Sequence, residues 1–357
     1  MLKKLLIAGG VLVLLGAIAG GVGYWMVYGT NTNPYDGVKT VKIPPDVSFE
    51  VVMDSLDAGG ILKRRGTLST VANLTGWNEQ VKPGHYEIEA GASNYDMLDK
   101  IRKGLQTPVR ITVPPGSRPE VVAEALAKQM YFEKEDFLAA INDAGLAASL
   151  GTDTLHLFSY MLPETYFVYW LSDATSVVSK IKKEFDDKFT PAMKAGADSL
   201  DLTIDEVLRV ASIVEWETQH VPEKPTIAGV YLNRLQQRWR LDADPTVQYA
   251  LLEIEGKRRR LFFRDYKIKH PYNTYQFRGL PPGPVTNPSF SSVEAVVKPE
   301  KHNYMFFVAL GDGSHSFTRT LREHINASRE FHKLMRERRR KAAEEEKAQQ
   351  LTEEAGG

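Results

Sequence analysis

The stretch Leu202-Thr-Ile-Asp-Glu-Val-Leu-Arg-Val-Ala-Ser-Ile-Val-Glu-Trp-Glu-Thr-Gln-His220 predicts the central helix of this chain. Thr203 is followed three residues later by Glu206, which is a capping box, so a helix is predicted to begin here. A helix turns by about 100° per residue. Apolar side chains then cover most of the circumference: Val207, Leu208, Val210, Ala211, Ile213 and Val214. A helix that is apolar nearly all round is a buried helix.

Two carboxylates, Glu215 and Glu217, lie on this helix outside its narrow polar strip. An ionised carboxylate in an apolar setting is costly, so its pKa rises or it finds a partner. A carboxyl that stays protonated near neutral pH can serve as a general acid. The pattern also fits a glutamate near a helix end that pairs with an arginine or a backbone N–H. Periodicity alone favours this structural interpretation for each residue.

The composition narrows the classes of function. The chain has 357 residues, which suggests two or three domains. Lys+Arg and Asp+Glu balance at 45 each, so no net charge points to nucleic acid as a partner. The chain has no cysteine, which excludes disulfides, thiol catalysis, cysteine-based zinc sites and a lipid-modified N-terminal cysteine.

An uncharged apolar run over residues 5–28 is long enough to cross a bilayer as a helix. Lys3 and Lys4 precede it, and no Lys or Arg follows in the next ten residues, which places the N-terminus in the cytoplasm and the rest outside. A cleaved signal peptide is the alternative. Because the run exceeds a usual signal-peptide core and no Ala-x-Ala site follows, we expect an uncleaved anchor over residues 1–29.

An internal repeat follows a short polar linker over residues 30–40. Its first copy is Val41-Lys-Ile-Pro-Pro-Asp-Val-Ser-Phe-Glu-Val-Val-Met-Asp-Ser-Leu56. The second copy, Ile111-Thr-Val-Pro-Pro-Gly-Ser-Arg-Pro-Glu-Val-Val-Ala-Glu-Ala-Leu126, aligns without a gap. Each copy predicts a short strand, a Pro-Pro turn and an amphipathic helix. Together they suggest a small α+β module.

The rest of the chain is predicted to be mostly helical up to residue 238, with helices over 95–104, 133–150, 174–189 and 226–238. From Leu241 the sequence is rich in Pro, Gly, Asn and Tyr, which is typical of a functional loop. Residues 304–310 predict an apolar strand. Residues 336–357 are charged and predict a solvated tail that is partly helical or disordered.

Common catalytic motifs are missing from the sequence. It contains no Gly-rich phosphate loop, no His-Glu-x-x-His and no Gly-x-Ser-x-Gly. Its eight histidines include no i, i+4 pair, and Ser212 has no evident His and Asp to activate it. No metal or cofactor is therefore predicted. A buried helix with glutamates, followed by loops rich in Tyr, Asn, Asp and Arg, fits a carbohydrate groove and equally fits an ordinary core.

Several stretches resemble, in the same order, the signature of the YceG-like (MltG) endolytic murein transglycosylases. They are Pro163-Glu-Thr-Tyr166, Ala211-Ser-Ile-Val-Glu-Trp-Glu-Thr218, Tyr231-Leu-Asn-Arg-Leu235, Leu241-Asp-Ala-Asp-Pro-Thr-Val-Gln-Tyr249, Pro271-Tyr-Asn-Thr-Tyr275, Gly279-Leu-Pro-Pro-Gly-Pro284 and His315-Ser-Phe-Thr318 with His324. Glu164 replaces an aspartate that is familiar in the family, and Trp216 replaces a lysine. The resemblance covers nearly the whole chain except the charged tail.

The resemblance implies an α+β fold class with a single N-terminal transmembrane helix. A small LysM-like α+β module is expected over residues 41–130, a lytic-transglycosylase-like catalytic domain over 131–335 and the charged tail over 336–357. It also implies a single-pass protein of the cell inner membrane whose bulk is periplasmic. The expected partners are nascent peptidoglycan glycan strands, the membrane and peptidoglycan synthases of the penicillin-binding class, with no nucleic acid and no cofactor.

The resemblance assigns the catalytic role to the second glutamate of the Glu-x-Glu-Thr motif, which is Glu217. The helical wheel does not separate the two glutamates, so this assignment comes from the resemblance alone. Trp216 faces the polar strip, so we expect it to have little effect on the chemistry. The expected substrate-binding residues are Glu164, Glu215, Asp244, Thr246, Gln248, Asn273 and Tyr275.

A single glutamate suffices for a lytic transglycosylase, because it acts first as an acid and then as a base toward the substrate's own hydroxyl. A hydrolase needs a second carboxylate. Asp242 and Asp244 are the candidates, although both also fit a turn around Pro245, Asp242 in particular. The alternatives to the transglycosylase are therefore a muramidase that uses Glu217 with Asp244, or a non-enzymatic scaffold that binds the cell wall.

Overall fold

The computed structural model describes residues 2–355, with the helical backbone alone for residues 338, 339 and 341–355. The chain forms two compact units. The smaller unit contains the residues up to 111 together with 129–132 and 166–173, and the larger unit contains 112–128, 133–165 and the residues from 174 onward.

Helix α1 (Leu2–Tyr28) is apolar, and none of its residues is buried by the rest of the protein. Its length and hydropathy are sufficient to span a membrane, as the sequence predicts. The predicted linker that follows is hydrogen-bonded into the smaller unit. Asn31 is fully buried, and its Nδ2 donates to Asn94 Oδ1 at 2.6 Å. The Nδ2 of Asn94 donates in turn to the carbonyl of Met26 near the end of α1 at 2.8 Å.

The smaller unit continues with strands and helices: β1 (Val38–Ile43), α2 (Phe49–Ala58), α3 (Arg65–Thr75), β2 (Gly84–Glu89) and α4 (Asn94–Lys103). Strands β3 (Val109–Thr112) and β4 (Thr165–Val168) belong to it except for Thr112 and Thr165, which belong to the larger unit. Strands β1 and β2 are antiparallel, with Val41 opposite Tyr86. Tyr86 is fully buried at the centre of the core, together with Ile43, Leu56 and Met97. The alternation of inward and outward side chains along β1 is what the period of a strand requires.

Both copies of the repeat have the predicted strand, turn and helix. The first copy is β1 followed by α2, and the second is β3 followed by α5 (Pro119–Ala127). The residue after each Pro-Pro pair is left-handed, with φ of 56° at Asp46 and 58° at Gly116. Helix α2 belongs to the smaller unit and α5 to the larger. The LysM-like module over 41–130 therefore stays a prediction.

Helices make up most of the larger unit: α6 (Lys134–Ile141), α7 (Ala144–Ser149), α8 (Ala174–Lys188), α9 (Pro191–Ser199), α10 (Ile204–Glu217), α11 (Lys224–Gln236), α12 (Asp244–Glu255), α13 (Phe290–Val297) and α14 (Leu321–Ala355). Strands β5 (Phe306–Ala309) and β6 (His315–Thr318) pair as an antiparallel ribbon. The single helix predicted over 133–150 is two helices. The predicted irregular segment contains α12, which begins at Asp244 with Pro245 in its first turn, a position that proline tolerates.

Helix α10 is the central helix that the sequence predicts. Thr203 caps it, and the side chain of Glu206 returns a hydrogen bond to the backbone N–H of Thr203 at 3.0 Å. Its apolar residues from Val207 to Val214 are fully buried against α11, α12 and α13. The charged tail continues α14 as helix to Ala355, and the final two residues lie outside the described part of the chain.

Candidate active site

Glu217 is the last residue of α10, and its side chain is half-buried where the helix ends. Tyr231, a fully buried residue of α11, donates its hydroxyl hydrogen to Glu217 Oε1. Burial raises the pKa of the Glu217 carboxyl to about 7. The Tyr231 hydrogen bond acts to lower this pKa, the charge of Asp244 raises it, and the charge of Arg234 lowers it. A carboxyl with this pKa exchanges its proton readily near neutral pH.

Glu217 lines a cavity of about 500 Å³. The other lining residues come from the end of α10 and from the β5–β6 ribbon: Thr218, Gln219, His220, Ala309, Gly311, Asp312, Gly313, Ser314 and His315. His315 Nδ1 lies 2.8 Å from Glu223 Oε2, and the His315 backbone N–H donates to Glu223 Oε1 at 3.0 Å. These two contacts fix the orientation of the imidazole in the cavity wall.

Glu215, one helical step before Trp216, has a different environment. It is 3% exposed, and its Oε2 accepts from Lys224 Nζ at 2.9 Å, from Ser292 Oγ at 2.6 Å and from the hydroxyl and backbone N–H of Ser289. Burial by itself would raise the pKa of Glu215, but the hydrogen bonds from Ser289, Ser292 and Lys224 outweigh it and hold this pKa below its usual value. Glu215 is therefore an ionised carboxylate that joins α10 to α11 and α13.

Trp216 lies between the two glutamates and is half-buried. Its indole N–H donates to the carbonyl of Gly116 at 3.3 Å, and the Arg258 guanidinium lies 3.9 Å from the centre of its ring. The second Pro-Pro turn and residue 258 thus contact α10 beside the glutamates, while the indole itself makes no hydrogen bond to either carboxylate in the described structure.

Asp244 is the exposed first residue of α12. Its Oδ1 accepts from the Tyr275 hydroxyl at 2.7 Å, and its Oδ2 accepts from the Tyr266 hydroxyl at 3.4 Å. The two phenol rings lie 4.5 Å apart. The negative charge of Asp244 raises the pKa of Glu217, so these two predicted carboxylates interact electrostatically. Asp242 is left-handed, with φ of 46°, as its turn interpretation predicts.

Thr246 and Asn273 are fully buried, so neither side chain reaches solvent in this structure. The Thr246 hydroxyl donates to the carbonyl of Ala243 at 2.7 Å and accepts from the backbone N–H of Thr274 at 3.2 Å. Asn273 donates to the carbonyl of Ile268 at 2.7 Å. These side chains hold the segment before Tyr275 against the start of α12.

Gln248 and Glu164 are partly exposed and bond elsewhere. The Gln248 amide donates to the carbonyl of Arg259 at 2.7 Å. Glu164 forms an ion pair with Lys188 of α8. Asp244 and Tyr275 thus contact each other, whereas Glu164 pairs with Lys188 of α8.

Sequence reasoning missed Tyr231 as the partner of Glu217, and it missed Lys224, Ser289 and Ser292 as the partners of Glu215. Lys224 begins α11 and is 3% exposed. A lysine is almost never fully buried unless it is paired, so a lysine at the start of a helix predicted to be buried is a signal for a carboxylate partner. The Glu223–His315 pair joins residues 92 positions apart, for which a single sequence has no local signal. Among the described residues, no group of three or more His, Asp or Glu side chains could hold a metal ion.

Comparison with known proteins identifies the family. The sequence matches the model of the YceG-like family over residues 41–330, which includes α10, α12 and the β5–β6 ribbon. The chain belongs to the YceG-like family. A solved YceG-like protein of Listeria monocytogenes superposes with a TM-score of 0.56 at 26% identity, covering 81% of this chain and 98% of that one.

Two curated relatives of this YceG-like chain are named endolytic murein transglycosylases. The relative from Bacillus subtilis (strain 168) is 27% identical over 307 residues, which are 82% of this chain and 84% of the relative. The relative from Streptococcus pneumoniae serotype 2 is 26% identical over 325 residues and 81% of this chain. This chain spans 58% of the length of the pneumococcal protein.

Proposed function

We propose that this YceG-like chain is a peptidoglycan lytic transglycosylase that cleaves glycan strands internally, with Glu217 as its catalytic residue. The observation that carries the proposal is the pKa of Glu217, which burial raises to about 7 beside a cavity of about 500 Å³. The names of the two curated relatives support the substrate class.

In the first step, protonated Glu217 donates its proton to the glycosidic oxygen. The bond from that oxygen to C1 of N-acetylmuramic acid breaks, and the leaving sugar departs with the proton as a new hydroxyl. Glu217 is left as a carboxylate, and C1 acquires oxocarbenium character. The Tyr231 hydroxyl bonds to Oε1, which orients the carboxyl and leaves Oε2 for the substrate.

In the second step, the Glu217 carboxylate takes the proton of the muramic C6 hydroxyl, and that oxygen bonds to C1. The product has a 1,6-anhydro end, no water is consumed, and Glu217 is protonated again. The attack is intramolecular, so a high effective concentration replaces the activated water that a hydrolase requires. Because Glu217 exchanges one proton in each direction, a pKa near the working pH suits both halves of the reaction.

The surrounding residues take supporting roles in this proposal. Asp244 and Tyr275 bind the glycan at the exposed side of the site, and Thr246 and Asn273 support them from beneath. Glu215 holds α10 in place, and Glu223 orients His315 in the cavity wall. Direct substrate contacts of Gln248 and Glu164 remain predictions for mutagenesis.

A muramidase that uses Asp244 as the base is the competing enzyme. Both oxygens of Asp244 already accept from phenols, at 2.7 and 3.4 Å, which favours a binding role over the activation of water. The deciding experiment incubates the purified protein with uncrosslinked glycan strands in water enriched in ¹⁸O and examines the new ends by mass spectrometry. Anhydromuramic ends without label are expected. Reducing ends that carry the label would establish hydrolysis.

The anchoring and the module complete the proposal. Helix α1 spans the inner membrane once, with the bulk of the chain on the periplasmic side, and the LysM-like module over 41–130 positions glycan for the catalytic domain over 131–335. Peptidoglycan synthases are the proposed protein partners. Protease added to spheroplasts should degrade the bulk of the chain, and protection of the C-terminal region there would reverse this topology.

A further inference from the structure

A dense cluster of positive charge lies on residues 257–269, which we name the basic loop. It contains seven Lys and Arg residues and a single acid, Asp265, in a chain whose net charge is zero. Two phenylalanines lie in its middle. Phe263 is 91% exposed and Phe262 is 51% exposed. A run of charge alone is usually a solvated surface, but two exposed aromatic rings within it are not explained by solvation.

The loop is built to hold these rings outward. Asp265 is 2% exposed and accepts from both terminal nitrogens of Arg259, at 2.7 and 3.0 Å, and from the backbone N–H of Phe262 at 2.7 Å. Arg259 also bonds to both carboxylate oxygens of Glu255 at the end of α12. Asp265 therefore pairs with Arg259 inside the loop and closes the turn, while Phe262 and Phe263 remain on the exposed side of the loop.

Arg258 lies over the Trp216 ring. The other cations of the basic loop are exposed to solvent: Lys257, Arg260, Arg264, Lys267 and Lys269. A hollow of about 810 Å³ runs along Arg260 to Arg264 and Tyr266. Cations and aromatic rings side by side match the chemistry of a lipid interface, where rings enter the headgroup boundary and cations face phosphates.

We propose that the basic loop docks on the surface of a membrane that contains anionic phospholipid, with Phe262 and Phe263 entering the interface. This inference goes beyond the proposed activity and uses only the anchoring of the chain by α1. A glycan strand is the competing ligand, since aromatic rings also stack on sugars. The excess of cations favours the membrane, because phospholipid headgroups carry the opposite charge and the sugar backbone does not.

The absence of cysteine from the sequence makes a single-label experiment direct. The full-length Phe262→Cys variant carries one nitroxide on the loop and keeps Phe263. A matched Leu74→Cys variant carries it on α3, at a side chain that is 82% exposed. Each protein is reconstituted into vesicles of phosphatidylcholine alone and into vesicles that also contain phosphatidylglycerol. Collisions of the nitroxide with oxygen and with a water-soluble nickel chelate then report its depth.

The proposal predicts that the loop label gains oxygen collisions and loses chelate collisions only in the phosphatidylglycerol vesicles, while the label at position 74 stays aqueous in both. Added salt should reverse the shift, because it screens the attraction. Equal chelate access to the loop label in both vesicle types would overturn the proposal. Protection of that label by uncrosslinked glycan in phosphatidylcholine vesicles would assign the loop to the glycan instead.

A charge-reversal variant tests the same point through the cations. Arg260→Glu with Arg264→Glu, added to the labelled protein, should abolish the difference between the two vesicle types. Cleavage of short soluble glycan by this variant should stay at the level of the parent, because neither arginine belongs to the proposed catalytic site. Insertion that survives the charge reversal would contradict the electrostatic part of the proposal. The depth measurement does not depend on turnover, so it stands apart from any failure of the proposed activity.

Discussion

Two carboxylates lie two residues apart on α10 and meet opposite environments. Glu215 is surrounded by donors, including the Lys224 ammonium and two serine hydroxyls, and its pKa is held low. Glu217 has a phenol as its donor and Asp244 nearby as a like charge, and burial raises its pKa to about 7. Both groups lose water. The charge and number of the replacing donors decide which one stays ionised.

The difference separates a structural acid from a chemical one. A carboxylate that accepts hydrogen bonds from a cation and from hydroxyls holds helices together. It stays ionised at neutral pH, so it has no proton to donate. A carboxyl that keeps one neutral donor and faces a cavity can exchange its proton with a substrate. The predictions below test this contrast, beginning with the largest expected effect.

Glu217→Gln should abolish glycan cleavage, with a loss of about 10²–10⁴-fold in the rate of bond breaking, because the proton donor is removed. The amide keeps the shape of the carboxyl and can still accept from Tyr231. Release of soluble fragments from uncrosslinked glycan measures the effect, and circular dichroism checks the fold. A folded variant with full activity would remove Glu217 from the mechanism.

The same variant has a signature in stability. The folded pKa of Glu217 is raised above its usual value of 4.5 to about 7, so the folded protein binds more protons than the unfolded chain within that range. The free energy of unfolding contributed by Glu217 therefore falls as pH rises from about 4.5 to 7. Glu217→Gln should lack this fall. Urea unfolding of both proteins at several pH values across this range measures the difference between their free energies of unfolding. A difference that does not change with pH would mean that the pKa of Glu217 is normal.

Glu215→Gln should act on stability, because it leaves the buried Lys224 ammonium without its counter-charge. Removal of one partner of a buried ion pair costs about 3–5 kcal/mol. Urea unfolding at pH 7 measures the loss, and the double variant with Lys224→Met should recover much of it. If Glu215→Gln kept wild-type stability and lost cleavage, the roles of the two glutamates would be exchanged.

Features that depend on residues close together in sequence were predictable, and features that depend on distant residues were not. The start of α10 was predictable because Thr203 and Glu206 cap it within one turn. Its buried face was predictable because periodicity is local. The partners of Glu215 were not, since Ser289 lies 74 residues away and only the packing of α13 brings it near.

Helix α12 shows a second kind of limit. The Asp-Pro pair at 244 and 245 predicted a turn, and the same pair also suits the first turn of a helix, where a missing N–H costs nothing. Local chemistry allowed both outcomes, and the packing of α12 against α10 decided between them. Resemblance to a family singled out Glu217, whereas the physical reason for the choice required the positions of Tyr231 and Asp244.

Tyr231→Phe should shift the pH dependence of cleavage. The hydroxyl donates to Glu217 and acts to lower the pKa of that carboxyl, so its removal should raise this pKa further. The rate depends on protonated Glu217, and the limb on which it falls with rising pH should therefore move to higher pH. Rate profiles of kcat/KM for both proteins check this. A loss of rate without any movement of the limb would mean that Tyr231 positions the carboxyl and does not tune it.

Asp244→Asn gives the smallest expected effect and the sharpest distinction between mechanisms. The charge of Asp244 raises the pKa of Glu217, so its neutralisation should move the same limb to lower pH, opposite to the shift from Tyr231→Phe. Asparagine still accepts from Tyr275 through its carbonyl oxygen, so the hydrogen-bonded arrangement of the segment should persist.

If Asp244 were the base of a hydrolase, its loss would lower the rate of cleavage by about 10²–10⁴-fold. A transglycosylase that relies on Glu217 alone should lose far less and should still produce anhydro ends. Retained activity with a limb at lower pH would therefore assign Asp244 to tuning and binding, while loss of all activity together with labelled reducing ends in the wild type would assign it to the activation of water.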